Sequence, residues 1–191
     1  MNQPITKKSE ETKKRVRQAA LELMSKYGFS EAKIKDICKK AGVSVGTFYS
    51  YFESKEDIIK EMCLESDILF GETVSKEISG RKFNEQVKIF IHYLAEFNTE
   101  LGPDILGLLY TPSNGQFLQT RPMLAVLDNI ISTGMEEGII RSDLTVDNTS
   151  KQIFTVLRGV CFDWCVNNGS FNMERRMNRY IQLALEGLFK R

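Results

Sequence analysis

With 191 residues, 42% hydrophobic and 27% charged, the chain has the composition of a globular protein able to bury a sizeable core. Its net charge of +1 hides an asymmetry: residues 1–60 hold 13 Lys and Arg against 8 Asp and Glu, and residues 61–191 hold 13 against 17. A basic head on an acidic body presents one end to a polyanion. No apolar run approaches the roughly 20 residues that span a bilayer, and the opening MNQPITKKSEETKK lacks a secretory apolar segment. A cytoplasmic protein with no membrane partner is expected.

Residues Met1 to Lys8 read as a basic arm. From Glu10 to Tyr27 the positions Val16, Ala19, Ala20, Leu23 and Met24 trace one helical face, Lys13, Lys14, Arg15 and Arg17 cluster near its start, and Gly28 ends it. Ile34, Ile37 and Cys38 then mark a short second helix, broken at Ala41-Gly42-Val43, where Gly42 can take the left-handed conformation that a Cβ penalises. Ser44 stands at the cap of a third helix, with Phe48 and Phe52 placed to pack back on the second. This is the spacing of a helix-turn-helix, whose second helix enters the DNA major groove.

The run from Gly42 to Ile58, GVSVGTFYSYFESKEDI, closely resembles the DNA-binding signature of the tetracycline-repressor (TetR) family. Two departures stand out: Cys38 occupies a place where that family usually has Ala, and Ala32-Lys33 one where it usually has Thr. The resemblance implies DNA binding. It implies phosphate contacts for Tyr49, Tyr51 and Lys55; Lys33 is a further candidate at the start of the second helix. Ser44 caps the recognition helix, Val45 and Thr47 project from it toward thymine methyls or base edges, and Gly46 allows close approach of the backbone to DNA. That helix has no Arg, Asn or Gln, so sequence discrimination is expected to lean on methyl contacts and DNA shape.

Ser54, with Asp57 three residues on, opens a long helix expected to run to about Ser79 and to join head to body. The body reads as five more helices and no strand, with breaks at Gly102-Pro103, Thr111 to Gly115, Gly138 to Leu144 and Asn167-Asn168-Gly169. The expected fold is therefore all-α with about nine helices. A helix-turn-helix DNA-binding domain over 1–53 is followed by a ligand-binding and dimerisation domain over 54–191.

The chemistry of catalysis is missing from the pattern. The only histidine, His92, falls opposite the apolar stripe of its helix, so no Ser or Cys has a partner for a triad. No phosphate-binding loop, paired carboxylates or metal-ligand cluster can be read; Cys38, Cys63, Cys161 and Cys165 lack CxxC pairing and read as small apolar thiols. Neither an enzyme nor a cofactor or metal is expected.

The helix from about Asp147 to Asn167 is apolar on two sides. Ile153, Leu157, Val160 and Trp164 share one; Gly159, Phe162 and Val166 lie on the other, where another helix could approach. Met173, Met177, Tyr180, Ala184 and Leu188 stripe the last helix. TetR-like proteins dimerise through their last two helices, so the resemblance implies a homodimer on a pseudo-palindromic DNA operator, with these residues at the seam. It also implies a small-molecule effector. Eight of the 12 Phe and the single Trp fall in residues 80–191. Phe90, Tyr93, Phe97, Tyr110, Phe117, Leu157 and Trp164 are the expected lining for an apolar or aromatic ligand. The resulting expectation is a repressor released by such a ligand; a DNA-bound structural or cell-division factor without an effector is the alternative.

Overall fold

The computed structural model describes residues 7–110, 122–141 and 143–187. Among these residues there is no strand. In order come α1 (Lys7–Tyr27), α2 (Ile34–Ala41), α3 (Val45–Tyr49) and α4 (Lys55–Ile68), which runs on through a π-helical turn (Leu69–Val74) into α5 (Ser75–Ile78). Then follow α6 (Phe83–Leu101), α7 (Pro103–Leu109), α8 (Pro122–Glu136), α9 (Val146–Val166) and α10 (Met173–Glu186). Counting the run from Lys55 to Ile78 as one rod, the described residues form nine helices.

The chain divides into two compact units, Met1–Met62 and Cys63–Arg191, so the division falls inside α4 rather than at its start. The first unit is a three-helix head closed on its own core. α1 packs on α2, and the buried set includes Val16, Ala20 and Met24 of α1, Ile37 and Cys38 of α2, and Phe48, Phe52, Ile58 and Met62 beyond them. Cys38 is 3% exposed, small enough for the α2–α3 crossing, and burial pushes its thiol above the ordinary range.

In the second unit α6 packs on α8 and α10, α9 lies against α8 and α10, and α7 covers part of α9. The corners follow local chemistry. Gln86 Nε2 donates to the carbonyls of Ile78 (3.2 Å) and Arg81 (2.8 Å), pinning the bend between α5 and α6. Gly102, at φ 78, lets α6 stop, and Pro103 starts α7 where a missing N–H costs nothing. Thr145 caps α9 and Asn172 caps α10 through their side chains. The expected break at Thr111 to Gly115, together with Phe117 and Leu188, lies outside the described residues. No described helix is long and apolar enough to cross a membrane.

Candidate functional site

In the head, α2 ends as the residues dictate. Gly42 adopts φ 67 and ψ 40, and its N–H and that of Val43 return to the carbonyls of Lys39 and Cys38. The Ser44 Oγ accepts from the Thr47 N–H at 3.0 Å and lies 2.8 Å from the Thr47 hydroxyl, fixing the first turn of α3. Lys33 precedes α2 with no side-chain cap, and is exposed. Asp57 Oδ2 accepts from the N–H groups of Glu53 and Ser54, at 2.9 and 3.1 Å, so the carboxylate half of the expected capping box closes the start of α4. Hydrogen bonding from Lys60 holds the Asp57 carboxyl below its usual range.

Phe48 is fully buried and Phe52 2% exposed, 5.7 Å apart, which leaves the outer side of α3 to Val45 (40% exposed), Gly46, Thr47 and Tyr49 (53% exposed). A Cβ on Gly46 would meet only Ser44 Oγ, at 3.7 Å, so nothing in the head itself requires glycine there. That is the pattern expected when the close neighbour is a partner such as DNA. Tyr51 and Lys55, expected on phosphates, also have partners within the head. The Tyr51 hydroxyl is 3.1 Å from Ser9 Oγ of α1. Lys55 Nζ donates to the carbonyls of Phe29 (2.5 Å) and Ser30 (3.4 Å) and stands 4.6 Å over the Phe29 ring. Both side chains therefore tie the head together. Lys13 does likewise, paired with Glu61 and 5.4 Å over Phe52. The exposed cations Lys14, Arg15 and Lys33 carry no such tie in the described contacts.

In the body, the aromatic set expected to line one cavity is dispersed. Phe90 and Leu157 share a seam with Val87, Ile91, Leu127, Ile130, Ile131, Ile153 and Ile181, from α6, α8, α9 and α10. The void there is about 10 Å³, room for one water at most. Tyr93 instead donates to Glu77 Oε2 at 2.7 Å, and Tyr110 pairs with the Cys161 sulfur, its ring 6.5 Å from Phe162. Burial, with the Cys161 contact, holds the Tyr110 phenol above its ordinary range. Trp164 is 4% exposed, donates to the Phe171 carbonyl at 2.9 Å, and borders a surface cleft of about 440 Å³ with His92, Glu96 and Glu174. Phe97 is half-buried on α6. The walls of the seam are thus aliphatic apart from Phe90. No group of three or more His, Cys, Asp or Glu among the described residues could hold a metal ion.

The last two helices are also corrected by the structure. Met173 (3% exposed) and Met177 (fully buried) belong with Ile181 and Leu185 to the core of the protomer, so they cannot form a seam with a second copy. The outward face is Gly159, Phe162 (56%) and Val166 (63%) on α9 with Tyr180 (43%) and Leu183 (56%) on α10, Ala184 partly covered between them. Leu183 is a residue that sequence reading missed. The inward stripe repeats every four residues, and a helix turning 100° per residue moves such a stripe 40° per step. The expected list followed Met173 and Met177 and then stepped by three to Tyr180, and so left the inward stripe of Met173, Met177, Ile181 and Leu185 for the outward face.

Residues 16–62 match the family described as bacterial regulatory proteins, tetR family. Residues 117–187 match that of the YsiA-like protein, C-terminal region. The fatty acid metabolism regulator protein of Bacillus subtilis (strain 168) is 26% identical over 179 residues, which cover 89% of this chain and 92% of that protein. Among solved structures, FadR from Bacillus subtilis in complex with stearoyl-CoA has a TM-score of 0.76 at 23% identity, over 92% of this chain and 98% of that one. Thermus thermophilus FadR, a transcriptional repressor in complex with lauroyl-CoA, has a TM-score of 0.68 at 22% identity, over 94% of this chain and 96% of that one.

Proposed function

Because this chain belongs to the TetR family of bacterial transcriptional regulators, we propose that it is a dimeric repressor that leaves its operator when a fatty acyl-CoA binds the body. The seam between α6, α8, α9 and α10 carries this reading: eight of its nine lining residues are Val, Leu or Ile and one is Phe90, with no charged group among them. Such walls match an unbranched alkyl chain better than a planar aromatic or an ion. The charged nucleotide end of the ligand stays in water. The exposed apolar face of Phe162, Val166, Tyr180 and Leu183 supports the two-fold dimer, since a patch of that kind on a helix pair marks an interaction surface. Val45, Gly46, Thr47 and Tyr49 read the groove, with Lys14, Arg15 and Lys33 on phosphates.

A filled seam also suits the second reading, a DNA-bound factor without an effector, and one experiment separates the two. The protein is bound to a fragment of its own promoter region and titrated with lauroyl-CoA, stearoyl-CoA and free CoA. Release by the acyl thioesters and not by free CoA is expected. Retention on DNA at saturating thioester overturns the effector reading.

A further inference from the structure

The rod from Lys55 to Ile78 contains an irregularity that DNA binding alone does not use. Across Leu69–Val74 the helix is π-wound, and the Ser75 N–H donates to the carbonyl of Phe70, five residues back. The inward residues repeat every four positions, Ser66, Phe70, Val74 and Ile78, each buried. In a plain α winding such a stripe drifts 40° per step. The wider turn absorbs one residue and keeps the stripe in line.

The π turn packs on α6 and α8, and one of its rings meets a residue that lines the seam. Phe70 is fully buried and its ring packs edge-on against Phe90 at 5.1 Å, and Phe90 lines the seam. With a void of about 10 Å³, no alkyl chain enters the seam unless a side chain leaves. A plain α winding of the same residues, with Val74 and Ile78 held, turns everything upstream by about 100° and shifts it by about 1.5 Å. Each inward place then passes to the following residue: Gly71 replaces Phe70, Asp67 replaces Ser66 and Leu64 replaces Cys63. Replacing Phe70 by Gly71 opens a ring-sized space beside Phe90. The same turn moves Leu64, which is 58% exposed in the π winding, to an inward place. Against this stands the burial of the Asp67 carboxylate, which keeps the α winding the minor state while the seam is empty.

We infer that the π turn is a one-residue register switch: empty, the rod is π-wound with Phe70 against Phe90; an acyl chain in the seam takes the place of the Phe70 ring and stabilises the α winding. α4 begins in the DNA-binding unit, so the rotation travels along the covalent helix to the head. This rests on the acyl effector reading and supplies its mechanism.

The test uses full-length protein, the promoter fragment and lauroyl-CoA. Deleting Gly71 removes the extra residue and leaves Phe70 facing inward in an ordinary α-helix. That variant should bind DNA as the parent does and no longer be released. In a second arm, Leu64→Cys in the otherwise unchanged chain is labelled with a maleimide and read peptide by peptide. The labelling rate of the introduced thiol should fall about tenfold when lauroyl-CoA is added, within the usual range of coupling between two sites. Release of the parent and of the deletion variant alike, or a labelling rate at the introduced thiol that lauroyl-CoA leaves unchanged while it releases the DNA, overturns the switch and leaves the effector reading standing. A parent that lauroyl-CoA does not release overturns both. If the deletion variant fails to fold, the labelling arm decides.

Discussion

The Lys55 ammonium lies 2.5 Å from the carbonyl oxygen of Phe29 and 4.6 Å from the centre of the same residue's ring. One cation thus ties the start of α4 to the turn between α1 and α2. A charge-assisted hydrogen bond contributes about 1.5–3 kcal/mol and an exposed cation–π contact about 0.5–1, and half-burial places the sum toward the lower end. Lys55→Ala should therefore destabilise the head by about 1–2 kcal/mol in urea unfolding. DNA affinity should fall for every sequence alike. A variant of parental stability whose only defect is a salt slope reduced by about one phosphate would return Lys55 to the DNA.

Ser44 and Thr47 separate folding from reading. Ser44→Ala removes the α3 cap and should cost about 1 kcal/mol of head stability. Thr47→Val keeps the Thr47 N–H bond to Ser44 while exchanging a hydroxyl for a methyl. Stability should change little, and preference among operator variants by about 1–3 kcal/mol per discriminated base pair. Competition binding against single-base substitutions reads both effects.

A Cβ at Gly159 would find nothing within 4 Å in the protomer. Gly159→Arg should therefore fold with near-parental thermal stability and lose its partner, sedimenting as a monomer at concentrations where the parent is a dimer. An unshifted dimer would move the seam off this face of α9.

Gly134 is the opposite case: a Cβ there would come within 2.8 Å of the Phe83 ring and 2.9 Å of Ile140 Cδ1. Both are buried and closely packed. Gly134→Ala should destabilise the body by about 1–3 kcal/mol, and truncating Ile140 to Val in the same chain should recover part of it. Thermal unfolding of the single and double variants decides.

Burial pushes the Cys161 thiol up to about 12 and that of Cys165 up to about 11. At pH 8 both keep their protons in the fold, so iodoacetamide should modify them only as fast as the body opens. The sign for stability follows. Unfolded thiols ionise near 9 while the folded ones hold their protons, so the unfolded state binds fewer protons above that point. Stability should then fall from about pH 9 until the folded thiols ionise. A flat profile over that range would place these thiols in water.

The head was nearly all legible because its signals are local: Gly42 must be left-handed, Ser44 must cap, and Phe48 and Phe52 fall one turn apart. What escaped there were Lys55 and Tyr51, whose partners Phe29 and Ser9 are distant in sequence. Among the described residues of the body, the breaks at Gly102-Pro103, Gly138 and Asn167-Asn168-Gly169 followed from periodicity and Gly or Pro punctuation. The assignment of faces did not, since Met177 and Tyr180 differ by only three positions yet one is fully buried and the other 43% exposed. The π turn left no mark of its own, since the four-residue repeat from Ser66 to Ile78 recurs in the plain α-helix α10.

Trp164 is the only tryptophan of the chain, and it is buried with its N–H satisfied by Phe171. Emission excited at the red edge therefore comes from the Cys63–Arg191 unit alone. A denaturation curve followed that way is blind to the head. The Met1–Met62 unit could melt first without changing the signal, and a comparison of indole emission with far-ultraviolet circular dichroism would expose any such step as two midpoints instead of one.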